Sequence, residues 1–295
     1  VEPAKLGVAR RTADLLAVID QPGPIRLETI SSADWSADRS GLINLDNPKA
    51  KDAKLQDGLE PIKWFFHALT HPAHGLFIVD TGAERALRDD REHAGLRGMA
   101  ASIFGIDRLK VTMPLADYLE RRGQKLSSVF LTHLHADHIS GMPDVPNGAS
   151  IYLGPNEAHA RAFMNVFTQS LTDRLFERHG PMQELQFTKD ADGRFDGLLD
   201  VIGDGSFWAL YVPGHTPGSV AYLARTDKGP VLMTGDTCHT AWGWEHDVEP
   251  GSFTTDREKN IESLARLRQL VREHPAIEVR LGHQWLGDQA KAGSH

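Results

Sequence analysis

The segment that most restricts how this chain can fold runs from Ser128 to His138. A β-branched and aromatic stretch, Ser128 to Leu131, leads directly into Thr132-His133-Leu134-His135-Ala136-Asp137-His138. Four groups able to bind a cation therefore fall within six residues, at the junction of a strand and a loop. A strand end is rigid, and the loop lets alternate side chains converge on one point instead of diverging to opposite faces. His133 and His135 are placed to clamp one cation, and Asp137 and His138, one step further round, to clamp a second.

Three more ligand-type residues sit just past apolar strands. His215 lies in Pro213-Gly214-His215-Thr216-Pro217-Gly218, Asp236 in Thr234-Gly235-Asp236-Thr237, and His283 in Leu281-Gly282-His283-Gln284. Any one alone reads as a capping or surface residue; together with the cluster they can meet on one edge of a sandwich.

The rest of the pattern agrees with such a sandwich. Trp64 to Thr70 and Gly75 to Val79 predict a hairpin ended by the turn Asp80-Thr81-Gly82. Further strands are expected at Ile151 to Leu153, Phe207 to Val212, Ser219 to Ala224, Val231 to Thr234 and Ile277 to Leu281. Helices are expected at Thr12 to Ile19, at Pro114 to Arg122 and at Asn156 to His179. In the last of these, Phe163, Phe167, Leu171 and Leu175 recur every four residues. Another starts at Thr255 with a capping box, Thr255-Asp256-Arg257-Glu258, and presents Ile261, Leu264, Leu267 and Val271. Strands and helices alternate in two similar halves, so two sheets packed between helices is the predicted architecture. Asp34 to Glu60 is polar and reads as an extended loop. Residues 1–60 are thus expected to be an arm and 61–290 a single domain of two halves.

Composition narrows the chemistry. With 15 histidines and one cysteine, Cys238, a metal site here is built from nitrogen and oxygen donors. The net charge of −8 opposes nucleic acid as a partner, because phosphate contacts need clustered Lys and Arg. No apolar run approaches the roughly 20 residues that span a bilayer. The chain starts at Val1, which leaves removal of a leader open. Without a disulfide framework a cytoplasmic location is expected.

From Trp64 to His283 these motifs resemble the metallo-β-lactamase superfamily. The resemblance implies an α/β fold, the αβ/βα four-layer sandwich, with two divalent metal ions along one edge. It implies His133, His135 and His215 on the first metal, Asp137, His138 and His283 on the second, and Asp236 bridging both. Asp80 matches a position that orients a ligand histidine. Zn2+ is the expected metal, with Mn, Fe or Co compatible with the same donors.

Two cations sharing a water lower its pKa toward neutrality, and the bridging hydroxide is a nucleophile at pH 7. Asp137 is placed to accept a proton and deliver it to the leaving group. No Gly-x-Ser-x-Gly nucleophile motif occurs, so hydrolysis without a covalent intermediate is expected.

Phe66-His67-Ala68-Leu69-Thr70-His71-Pro72, Gly75 to Gly82, Pro114 to Leu119 and Ser128 to His138 look like the quorum-quenching lactonases, which hydrolyse N-acyl homoserine lactones. Those enzymes usually carry tyrosine three residues after the bridging aspartate, where it assists the substrate carbonyl. His239 stands there in this chain, and its reach and pKa differ. Trp242, Trp244 and His246 follow as candidate walls of an acyl pocket, and Phe167 as a residue overhanging it. Cys238 reads as a small buried bystander.

The expected activity is therefore hydrolysis of a small lactone or carboxylic ester. Phosphotriester or aryl-ester hydrolysis is the alternative, then a glyoxalase II-like thioesterase, then an iron oxidoreductase. Relatives of the lactonase type are often dimers, so a homodimer is a further expectation.

Overall fold

The computed structural model of the chain describes residues 1–159 and 165–286, with the side chains of 165–170 outside that description. Among these residues two sheets form the middle of the molecule. One contains eight strands in the order Glu2–Pro3, Gln183–Glu184, Ser150–Leu153, Leu126–Phe130, Gly75–Val79, Leu59–His71, Arg26–Asp38 and Lys110–Val111. The other contains six, in the order Glu278–Arg280, Gly229–Met233, Val220–Thr226, Phe207–Tyr211, Leu198–Asp200 and Val8–Ala9.

Strand alternation assigns each residue to a layer. Phe77, Val79 and Phe130 point inward and meet Phe207, Ala209, Val220, Tyr222 and Met233 of the second sheet. Their neighbours Leu76, Ile78 and Val129 point outward and are covered by Leu115 and Tyr118 of the Leu115–Arg122 helix and by Leu171 and Leu175 of the Asn165–Phe176 helix. On the other side Trp208, Leu210, Leu223 and Leu232 pack under Leu264, Leu267 and Leu270 of the Arg257–Glu273 helix. Strands buried on both faces need near-continuous apolar sequence, which is how these segments read. The order helix, sheet, sheet, helix is the four-layer sandwich.

The first 60 residues correct the expectation of an arm. Arg26–Asp38 pairs antiparallel with Leu59–His71 along its whole length, with a bulge between Ser31 and Ala33, and Val8–Ala9 pairs with Leu198–Asp200 in the other sheet. The stretch from Asp34 to Glu60 also contains the short helices Arg39–Leu42 and Pro48–Asp52. Much of the Arg26–Asp38 strand is only half buried, so its sequence, Arg-Leu-Glu-Thr-Ile-Ser-Ser-Ala-Asp-Trp, carries no clear period.

Two helix starts also differ. The Arg257–Glu273 helix is capped by Asp256, whose side chain accepts from the Lys259 backbone N–H at 3.1 Å, so Thr255 lies outside and no capping box forms. Ile261 is then turned to solvent and Leu270 inward. The helix expected from Asn156 is described from Asn165 to Phe176, preceded by a 3-10 turn at Glu157–His159; Phe163 lies outside the described residues. No helix among the described residues is long and apolar enough to cross a membrane.

Candidate metal centre

Gly75–Val79 and Leu126–Phe130 run parallel, as do Gly229–Met233 and Glu278–Arg280, while Phe207–Tyr211 and Gly229–Met233 both run antiparallel to Val220–Thr226. The residues that follow these strands therefore emerge on one edge of the sandwich: Asp80, the His133 to His138 loop, His215, Asp236 and His283. The Val220 N–H donates to the Thr132 carbonyl at 2.9 Å and joins the two sheets at that edge.

Two overlapping groups of side chains result. His133, His135, His215 and Asp236 form one, and Asp137, His138, Asp236 and His283 the other; within each, the donor atoms lie within 4.8 Å of one another. Asp236 Oδ2 is the common point. It lies 3.6 Å from His133 Nε2, 3.5 Å from His215 Nε2, 3.3 Å from His138 Nε2 and 3.2 Å from His283 Nε2. His215 Nε2 is also 2.9 Å from His135 Nδ1 and 3.2 Å from His133 Nε2, and His283 Nε2 is 3.2 Å from Asp137 Oδ2.

The far side of each ring fixes which nitrogen faces inward. His138 Nδ1 donates to Asp80 at 2.8 Å, and His283 Nδ1 donates to the Lys63 carbonyl at 2.8 Å. His133 Nδ1 lies 3.0 Å from the Thr132 hydroxyl, which itself lies 2.9 Å from Asp80 Oδ2. With Nδ1 engaged on the far side, Nε2 is the nitrogen turned to the centre in these three rings, and it can ligate a metal once it is bare. Asp80 thus stands behind His138, at a left-handed backbone φ of 56° that Asp and Asn tolerate better than most residues.

Burial lowers the pKa of His133, His135 and His215, and neighbouring histidines push the same way for His133. These rings are neutral and ready to coordinate. At the second group burial works in the same direction but is outweighed. Asp236, Asp80 and Asp137 hold His138 well above its ordinary value, and Asp236 and Asp137 push His283 up to about 10. For Asp236 burial is likewise overcome, by His283, His138 and His239, which keep its carboxyl well below the usual range.

A divalent metal suits this arrangement. The donors are imidazole nitrogens and carboxylate oxygens only. Two of them, His138 Nε2 and Asp236 Oδ1, are buried with no hydrogen-bond partner among the described residues. Such atoms are costly unless something satisfies them. The site also depends on an absent side chain: a Cβ on Gly282 would stand 2.0 Å from Asp236 Oδ1.

The other expected site residues are placed as follows. His239 is buried against the same carboxylate, with Nε2 at 3.1 Å from Asp236 Oδ2 and Nδ1 donating to the Leu42 carbonyl at 3.1 Å. Trp244 belongs to the outer core with Leu264 and Leu267, beneath the Arg268 guanidinium, which is a core position rather than a pocket wall. Trp242 packs with Leu42, Ile43 and Ala50, and His246 stacks on it at 4.3 Å. The side chain of Phe167 lies outside the described residues. Cys238 is buried, its thiol pushed up to about 12 by burial.

Sequence reasoning missed the backbone carbonyls of Leu42 and Lys63, which carry no residue signature. It also missed Glu157, a buried carboxylate behind the first three histidines.

Residues 68–283 match the family described as the metallo-beta-lactamase superfamily. The chain is 28% identical over 252 residues to N-acyl homoserine lactonase AttM of Agrobacterium fabrum, covering 83% of this chain and 90% of that protein. Among solved structures, it resembles an N-acyl homoserine lactone hydrolase with the product N-hexanoyl-L-homoserine bound at its catalytic metal center, with a TM-score of 0.65, 22% identity, and 90% and 95% of the two chains covered. It also resembles AidC, a dizinc quorum-quenching lactonase, with a TM-score of 0.56, 14% identity and 95% and 92% coverage. With the matched region spanning most of its length, the two-sheet sandwich and the histidine–aspartate edge, the chain belongs to the metallo-β-lactamase superfamily.

Proposed function

We propose that this chain is a metal-dependent hydrolase of lactones, with N-acyl homoserine lactones as the substrate class. The observation that carries the reading is the convergence of four candidate ligand histidines, His133, His138, His215 and His283, on one carboxylate oxygen, Asp236 Oδ2. Similarity to a lactonase over most of both chains supports the choice of lactone among hydrolysable substrates.

In this reading His133, His135 and His215 would hold one divalent ion and Asp137, His138 and His283 the other, with Asp236 within reach of both groups; the nitrogen and oxygen donors suit zinc. Bound there, such ions activate water at neutral pH and polarise an ester carbonyl. The chain supplies the proton handling. Asp137 is the most solvent-accessible carboxylate of the set, with its side chain 12% exposed against 3% for Asp236. It is placed to accept a proton from the attacking water and return it to the ring-opened alkoxide. His239 has its Nδ1–H tied to Leu42, so Nε2, 3.1 Å from Asp236 Oδ2, is the nitrogen turned to the centre and placed to meet substrate there.

The test is a pH-indicator assay of the purified protein on N-acyl homoserine lactones, aryl esters, thioesters and phosphotriesters. Acid release fastest on the lactones supports the assignment. A higher kcat/KM on phosphotriesters with none on lactones overturns it.

A further inference from the structure

Glu157 lies outside the proposed ligand set, yet its carboxylate joins the two loops that carry the first three histidines. It follows the Ser150–Leu153 strand, in the 3-10 turn Glu157–His159, and is 4% exposed. Oε1 accepts the backbone N–H of Leu134, the residue between His133 and His135, at 2.9 Å. Oε2 accepts the backbone N–H of Gly218, three residues after His215, at 2.9 Å. The Thr216 hydroxyl, next to His215, is a third partner. Gly218 fits only because it lacks a side chain, since a Cβ there would be 2.5 Å from Glu157 Cβ. One buried carboxylate thus ties the His133/His135 loop of one sheet to the His215 loop of the other.

We propose that Glu157 is a positioning residue that sets the spacing of His133, His135 and His215 and so governs the affinity of that half of the metal centre. The inference rests on the metal-centre reading above. A carboxylate is the side chain suited to this task, because both its arms accept and both loops offer N–H donors. In Glu157→Gln one arm becomes an NH2 group and faces an N–H across a buried contact, leaving two donors opposed. One loop must move, and three converging nitrogens tolerate little movement.

The test reads metal content after dialysis against a graded series of chelator concentrations, with circular dichroism to check the fold. The wild-type chain is expected to keep about two ions per chain at an intermediate concentration. Glu157→Gln is expected to keep about one, its weaker ion lost at about ten-fold less chelator. Asp80→Asn, which loosens His138 in the other half, is also expected to keep about one, and the double variant close to none. Thr216→Val, the milder change, is expected to shift the same ion in the same direction by less. Retention of both ions in Glu157→Gln, or of one in the double variant, overturns the role given to Glu157. A wild-type chain that takes up no metal from added Zn2+ overturns the metal-centre reading itself.

Discussion

The Nδ1–H of His239 meets the carbonyl oxygen of Leu42 at 3.1 Å, across 197 residues of sequence. Leu42 belongs to the N-terminal segment that packs over the 239–251 stretch, where Asn44 and Asn47 both donate to Glu249. A histidine held this way has one functional nitrogen, and that nitrogen contacts Asp236.

His239→Ala is accordingly expected to separate chemistry from metal binding. The seven proposed ligands remain, so metal content should match the wild type. Loss of a positioned hydrogen-bonding group at the centre should lower kcat about a hundred-fold. Steady-state kinetics together with metal analysis on the same preparation decide it. Unchanged kcat would remove His239 from the reaction, and a missing ion would move it into the ligand set.

Asp80→Asn tests the ring behind the second half of the site. Asn tolerates the left-handed φ of 56°, so the turn is retained. One acceptor oxygen cannot serve the Thr132 N–H, the Thr132 hydroxyl and His138 Nδ1 together, as both carboxylate oxygens do now. The metal affinity associated with His138 should fall about ten- to a hundred-fold. Competition with a chelating dye measures it; equal affinities would show that Asp80 serves the fold alone.

Gly282→Ala probes space rather than charge. Its backbone is not in the left-handed region, so strain is not the issue; the new methyl would instead overlap Asp236 Oδ1. Rotation of Asp236 removes the oxygen shared by both halves. We expect loss of both ions and of nearly all activity, with far-UV circular dichroism close to wild type. An active variant with its full metal complement would mean that Asp236 occupies another rotamer in solution.

How much of this was readable beforehand follows from where the information resides. The convergence of His133, His135, Asp137, His138, His215, Asp236 and His283 on one edge was legible because each follows an apolar strand, and strand ends on one edge converge. Asp80 was found the same way. The groups that aim the rings were less visible, because the Leu42 and Lys63 carbonyls are available from any residue and only the pairing of distant segments selects them. Arg26–Asp38 went unseen because a half-exposed strand with a bulge shows neither alternation nor an apolar run. Trp242 and Trp244 stood near the candidate ligands in sequence, yet the short helix Ala241–His246 turns Trp244 into the outer core.

Metal loading should depend on pH in a direction set by the second half of the centre. There Asp236 and its neighbours, overcoming burial, raise His283 to about 10 and hold His138 above its ordinary value, so both rings carry a proton at pH 7 in the metal-free chain. A metal ion needs the bare nitrogen and must displace those protons. Affinity should therefore fall as pH is lowered, by up to about ten-fold per pH unit for each proton released. At the first half, where His133 and His215 are held neutral by burial, the dependence should be weaker across the same range. Titration of the metal-free protein with Zn2+ in weak buffer, from pH 6 to 8, reads both effects through released acid. Two ions binding with no proton release would show that His138 and His283 are already bare in solution, and that the metal-free site is held together by something other than their ion pairs with Asp236.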